Sequence, residues 1–176
     1  LHLLVVDISA SMGTQDRLSF AKGLVQRILK YDYQKKNLVA IVGTEGVDAK
    51  VFLRPTRNVF HISKVLDSIS AKGKTPLMHA MDAALKMAEG FAKKKRHLTS
   101  LMVVISDGRV NVPFKNSISK DLNWLADRVR KLGLLSFVVD SNTRFAGSAL
   151  LRKIANTFEG RYVLMADIHH QEKILL

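Results

Sequence analysis

Asp7, Ser9 and Ser11 stand at alternate positions directly after the apolar run Leu3-Leu4-Val5-Val6. One carboxylate with two neutral hydroxyls is a donor set for a hard divalent cation, because Mg²⁺ prefers near-octahedral oxygen, takes few protein carboxylates and leaves positions for water or an incoming group. A second acid follows the same logic: the apolar run Leu101 to Ile105 ends in Ser106-Asp107-Gly108-Arg109. Between these segments lies Lys72-Gly73-Lys74-Thr75-Pro76-Leu77, where Thr75 offers a third hydroxyl and Pro76 suits the first position of a helix. Taken singly, an Asp after a strand is an ordinary helix cap and a Ser pair is ordinary turn chemistry. The combination of the three segments is what points to a cation.

Other chemistries fit less well. Gly73-Lys74-Thr75 imitates the end of a phosphate loop, but Ser68 stands where the first glycine of that motif belongs, and no apolar strand precedes it. An aspartyl nucleophile at Asp7 would need a second carboxylate as general acid, and position 9 is a serine. The chain has no cysteine, which excludes disulfides and thiolate ligands and is compatible with a reducing cytoplasm. Its six histidines, including His169-His170, show no zinc-binding spacing, and that pair reads as an exposed face of a terminal helix. Asp140 with Ser141-Asn142-Thr143 reads as a cap or turn, and Trp124, beside Leu122 and Leu125, as partly buried packing. Arg109 and Asn111 adjoin the second acid; they suit either recognition of a partner carboxylate or a hydrogen bond that steadies the loop.

The elements that must position these residues follow from the hydropathy pattern. Strands are expected at Leu3 to Asp7, Leu38 to Gly43, Ala49 to Arg54, Ser100 to Ser106, Leu134 to Asp140 and Gly160 to Leu164. Leu18, Ala21, Val25, Ile28 and Leu29 recur at helical spacing, with Asp16 as a cap or first-turn acid. Ile118, Leu122, Leu125, Ala126, Val129 and Leu132 keep the same period, and Gly133 is placed to end that helix. Thr44 to Asp48 suits a hairpin loop, which puts one antiparallel edge strand on an otherwise parallel sheet. The expected fold is α/β: a doubly wound, mostly parallel six-stranded sheet with helices on both faces. In such sheets ligands bind outside the carboxyl ends of the strands, where Asp7 and Asp107 fall.

The 176 residues fit one domain, 1–176, and 47% hydrophobic content with three prolines reads as folded throughout. No stretch is long and apolar enough for a bilayer span, and the first residues lack a signal-peptide layout. Starting at Leu1 and almost inside a strand, the chain is expected to be a C-terminal fragment of a longer protein. The net charge of +13, densest at Lys93-Lys94-Lys95-Arg96-His97, favours an acidic partner: protein, nucleic acid or membrane surface. That run equally suits a solvated helix end, where cations meet the negative end of the dipole. Aromatics make up only 7% and sit mostly in apolar patterns, which places nucleic-acid recognition second.

On Asp7-x-Ser9-x-Ser11, the Gly73-x-Thr75 loop and the later Asp107-Gly108, the chain resembles the von Willebrand factor type A (vWA) domain family and its metal-ion-dependent adhesion site. The resemblance implies a Rossmann-like vWA fold and a Mg²⁺ site (Mn²⁺ as a substitute) formed by Asp7, Ser9, Ser11, Thr75 and Asp107. In that family the hydroxyls bind the cation directly or through water, the aspartates complete the shell, often through water, and an acidic side chain of a partner fills the open position. Ala21-Lys22-Gly23, Tyr31-Asp32-Tyr33-Gln34-Lys35-Lys36, Pro55-Thr56-Arg57 and Asp107 to Val112 look more narrowly like the C-terminal domain of the magnesium chelatase D subunit.

That narrower likeness implies a cytoplasmic, non-catalytic coupling module. It would follow an AAA+ module and an acidic linker, and assemble with the chelatase ATPase and catalytic subunits that insert Mg²⁺ into protoporphyrin IX on the way to chlorophyll. A basic surface would hold the acidic linker or a partner. The alternatives are a module of a cobalt chelatase-like complex and a basic vWA domain associated with nucleic acid. Two departures stand out: Ala10 where the family usually has Gly, and Gly43-Thr44-Glu45-Gly46 where relatives more often carry an aromatic and a polar residue.

Overall fold

The computed structural model describes residues 1–14, 16–94, 99–142 and 147–168, apart from the side chains of 59–63. His97, Thr143, the His169-His170 pair and the Lys95-Arg96 part of the basic run lie outside the described residues.

Runs buried on both faces form the middle of the sheet. β1 (His2–Val6), β2 (Val39–Glu45), β4 (Leu101–Ser106) and β5 (Leu135–Asp140) are rich in β-branched and leucine side chains, and every residue of β1 beyond His2 is buried. With β3 (Asp48–Thr56) and β6 (Arg161–Leu164), they give a six-stranded sheet in the order β3-β2-β1-β4-β5-β6. All neighbours are parallel except β2 and β3, so the expected doubly wound sheet with one antiparallel edge strand is what the chain forms. The hairpin is tighter than the sequence suggested. Thr44 and Glu45 belong to β2, leaving Gly46 and Val47 as the turn, and Pro55 is tolerated because β3 is an edge.

Alternation along the strands divides the core in two. Leu3 and Val5 point with Val42, Met102, Val104 and Val138 toward α3 (Leu77–Lys94), α4 (Ile118–Lys131) and α5 (Ala149–Thr157). Leu4 and Val6 point with Ile41, Val103, Ile105 and Val139 toward α1 (Arg17–Gln34) and α2 (Val59–Ser68). In α1 the apolar stripe is buried as its spacing predicts, with Ala21, Leu24, Val25, Ile28 and Leu29 inside. Gly133, at φ 56, follows Leu132, the residue that caps α4, and its N–H reaches the carbonyl of Arg130, a left-handed helix stop. A short helix, α6 (Met165–Ile168), follows β6.

Asp16 departs from expectation. It precedes α1 at φ 56, ψ 16, and its side chain makes no capping hydrogen bond. Capping needs an extended backbone at that position to aim the carboxylate at the first free N–H groups, and a left-handed residue aims it elsewhere.

From β1 the chain winds outward to β2 and β3 on one side, and β4, β5 and β6 lie on the other. The strand order therefore reverses between β1 and β4, and in such sheets the binding crevice lies there, outside the carboxyl ends. Asp7 and Asp107 are the residues that follow those two strands.

Candidate metal centre

Each of the five candidate ligands leaves an element at this crevice. Asp7 follows β1; Ser9 precedes and Ser11 lies within a 3₁₀ turn, Ala10–Gly13; Thr75 sits two residues before α3; Asp107 follows β4. Ala10 opens the 3₁₀ turn without positive φ, so the absence of glycine there carries no strain. Two backbone hydrogen bonds lace the first loop to the second: Lys72 N–H to the Ile8 carbonyl (2.7 Å) and Ala10 N–H to the Gly73 carbonyl (3.1 Å). Thr75 is thereby carried to the side of the serines and is itself buried.

Asp7 is fully buried and is held by three donors. Its Oδ1 accepts from Ser9 N–H (2.9 Å) and the Thr44 hydroxyl (3.2 Å), and its Oδ2 accepts from the Ser106 hydroxyl at 2.6 Å. Burial pushes its pKa up from the ordinary carboxylate value; the bonds from Ser106 and Ser9 oppose that shift, and the nearby Asp107 charge adds to it. Thr44, one of the departures noted above, also accepts from Ile8 N–H (2.9 Å) and so fixes the turn out of β1.

Asp107 is held differently. Its Oδ1 accepts from Arg109 N–H (3.0 Å), while Oδ2 faces the guanidinium of Arg17 at 3.1 Å and that of Arg109 at 3.6 Å. The same Arg17 nitrogen, Nη1, donates to the Ser11 carbonyl (3.2 Å), so a buried arginine ties the β4 loop to the serine turn. Asn111 accepts from Thr75 N–H through Oδ1 (2.8 Å), the loop-steadying role. Arg109 is 63% exposed, with its guanidinium turned back toward Asp107.

A further support lies behind the β4 loop. Asp140 is fully buried and accepts from Asn142 N–H (2.9 Å) and Nδ2, from Ser148 N–H (2.5 Å) and from the Tyr162 hydroxyl (2.6 Å). Asn142 Nδ2 also donates to the Asp107 carbonyl (2.8 Å). Asp140 is thus a structural anchor at the end of β5, in line with the sequence reading. Burial, followed by the Asp140 contact, drives the Tyr162 hydroxyl well above its ordinary pKa. Trp124 is 39% exposed and stacks beside Phe114, with the charged heads of Lys115 and Arg128 over its ring.

Whether the donors fit a cation can be judged from the serines. Ser9 Oγ and Ser11 Oγ share a hydrogen bond at 3.1 Å. Adjacent oxygens on an octahedral ion with bonds of about 2.1 Å are separated by about 3.0 Å, so the pair matches one edge of a Mg²⁺ shell. Asp7 and Asp107 already accept protein hydrogen bonds, which suits carboxylates that reach an ion through water. A crevice of about 260 Å³ adjoins this cup at Ile8, lined by Phe52, Val65 and Ile69 and by Lys50 and Lys72, both of which pair with Glu45.

Arg17 was not singled out from the sequence, and Thr44, Ser106 and Asn142 entered there only within longer segments, without a role in holding the site. Only Ser106 carried a signal there, as a hydroxyl residue at the buried end of a strand immediately before the second acid.

A doubly wound domain with this switch-point crevice defines a class, and comparison with known proteins agrees: a model of the von Willebrand factor type A domain matches residues 2–109. The chain belongs to that family. It is similar to the magnesium-chelatase 60 kDa subunit of Cereibacter sphaeroides, 31% identical over 98% of this chain and 31% of that protein. It is likewise similar to the magnesium-chelatase 67 kDa subunit of Chlorobaculum parvum, 29% identical over 95% of this chain and 29% of that one. The chain therefore spans under a third of the length of these relatives. Among solved structures, the SpRpn10 VWA domain superposes with a TM-score of 0.73 at 13% identity, covering 99% of this chain and 95% of that chain, which supports the fold alone. Among the described residues no helix is long and apolar enough to cross a membrane.

Proposed function

We propose that this chain is the vWA module of a longer, cytoplasmic chelatase-subunit-like protein, and that it joins a chelatase-type complex through a Mg²⁺-dependent contact. The hydroxyls of Ser9, Ser11 and Thr75 would hold the ion, with Asp7 and Asp107 completing the shell through water. When bound, the ion supplies a Lewis-acidic position for an acidic side chain of a partner. The observation that carries this reading is the Ser9–Ser11 oxygen pair, spaced as an octahedral edge beside two buried carboxylates. Likeness to the chelatase subunits over nearly the whole chain supports the assignment of the complex.

In this reading the module binds and positions, and the full complex inserts Mg²⁺ into protoporphyrin IX; that Mg²⁺ is cargo, separate from the ion held here. The partners are an AAA+ ATPase subunit and a porphyrin-binding catalytic subunit. The net charge of +13 offers a surface for an acidic linker.

Thermal unfolding in Mg²⁺ or Mn²⁺ tests the site. At a hundred times the dissociation constant, linkage contributes about 2.7 kcal/mol, which for a chain of this size is a rise of roughly 5–10 °C in Tm. Asp7→Ala and Asp107→Ala abolish the rise. Absence of any rise in the wild type at millimolar metal, with and without a carboxylate anion such as acetate, refutes a preformed site. Mg²⁺-dependent association with the ATPase subunit, lost in Asp7→Ala, tests the assembly role.

A further inference from the structure

Arg17 is a cation placed where the fold does not favour one. It is the first residue of α1, where the helix dipole presents positive charge. It is also 4% exposed, and a buried guanidinium stays charged and is costly unless paired. One partner is Asp107, a candidate ligand, through Nη1 to Oδ2 at 3.1 Å; the same nitrogen reaches the carbonyl of Ser11, another candidate ligand, at 3.2 Å. The cup therefore contains a positive charge of its own, covalently part of the chain, in contact with the loop of Ser11 and the loop of Asp107.

We propose that Arg17 is a resident counter-charge that weakens the cup's hold on a lone divalent cation and makes cation and anionic partner bind cooperatively. The proposal rests on the metal-holding reading given above. The charges make the case. With both carboxylates ionised, Asp7 and Asp107 contribute two negative charges and Arg17 one positive, which leaves one negative charge against the two positive charges of Mg²⁺. The loaded cup then carries one uncompensated positive charge in a largely buried setting, where such a charge is disfavoured. A carboxylate from outside brings the sum to zero. With a neutral side chain at position 17, the two aspartates alone would balance the ion and no anion would be needed. Arg109 adds to the same imbalance, though its exposure lets solvent screen it. Coupling of this kind is reciprocal: the anion tightens the metal by the factor by which the metal tightens the anion.

The test is a Mg²⁺ titration, by calorimetry and by thermal unfolding, at constant ionic strength with and without acetate as the carboxylate probe. The wild type, Arg17→Gln and Arg17→Lys are compared. In the wild type, acetate tightens Mg²⁺ binding. Arg17→Gln binds Mg²⁺ alone at least about fivefold more tightly, the lower end of ordinary coupling factors, and gains little more from acetate. Arg17→Lys keeps the charge and keeps the wild-type response to acetate. A purely structural tie between two loops would lower stability in EDTA for both variants without moving the acetate response. The proposal is overturned if Arg17→Gln binds Mg²⁺ no more tightly than the wild type, or if its acetate response is unchanged. Should Arg17→Gln fail to fold, a wild type insensitive to acetate, or an Arg17→Lys variant that loses the response, overturns it equally. A wild type that binds no Mg²⁺ with or without acetate defeats the metal reading itself, which separates the two failures.

Discussion

Ser106→Ala removes one oxygen that does two jobs. The hydroxyl donates to Asp7 Oδ2 at 2.6 Å and accepts from Gly108 N–H at 2.9 Å, and both Ser106 and Asp7 are fully buried. A hydrogen bond to a charged group contributes about 1.5–3 kcal/mol, and the half-buried Gly108 N–H left without its partner adds to the loss. Allowing for relaxation, the substitution should cost about 3 kcal/mol at neutral pH in EDTA, a fall of roughly 6–12 °C in Tm.

The loss depends on pH in a definite sense. Burial holds the Asp7 pKa above its unfolded value, and the Ser106 bond is the strongest influence opposing that shift. The neutral carboxyl is thus the form the fold accommodates more readily, and the charged form relies on Ser106. The part of the loss that comes from Asp7 is absent while the folded carboxyl is protonated and grows as pH rises through a folded pKa above the ordinary carboxylate value. Urea unfolding of both proteins in EDTA at pH 4 and pH 7 measures it. A difference below about 0.5 kcal/mol at pH 7, or one that does not change with pH, refutes the reasoning.

Two further substitutions probe the frame of the site. Gly108 has φ +75, and an added Cβ would lie 2.1 Å from Ser148 Oγ, so Gly108→Ala should cost at least ~2 kcal/mol and weaken any Mg²⁺ response, read by urea unfolding and metal titration. Asp82, between α3 and α4, is buried, which alone would raise its pKa; hydrogen bonds from Lys86 and Arg128 more than offset this and lower it. Its contribution is present above the unfolded pKa and lost as pH falls through the folded one, so Asp82→Asn should differ from wild type by ~1–2 kcal/mol at pH 7 and converge with it only as pH falls through a folded pKa below the ordinary carboxylate value.

The ligand candidates were legible because each sits just beyond an element whose periodicity is strong. Buried strands announce their ends, and Asp7 and Asp107 are those ends; Thr75 was reachable through Gly73 and Pro76. The side chains that hold them were not legible, because nothing in the spacing pairs Asp7 with Thr44, 37 residues away, or with Ser106, 99 away. Arg17 carries no signal in the sequence, since Asp107, which it pairs with, is 90 residues distant. Asp16 misled for a local reason: its residue type suits a cap, but its left-handed backbone removes the side chain from that task. Glu45 and Thr44 were assigned to a loop because a Gly-containing segment reads as a turn, while pairing with Ala49 and Asp48 extended the strand.

The long reach of these hydrogen bonds also fixes the order in which the cup comes into being. Loop closure over such separations is slow and follows local structure. While the chain is synthesised, Asp7, Ser9, Ser11 and Arg17 emerge early, but the Ser106 hydroxyl and the Asp107 carboxylate that complete the site wait for β4 to dock against β1. A divalent ion therefore cannot template folding of the first segment, and occupancy reports a sheet already closed between β1 and β4. A partner that recognises the loaded cup would in the same act recognise a finished domain.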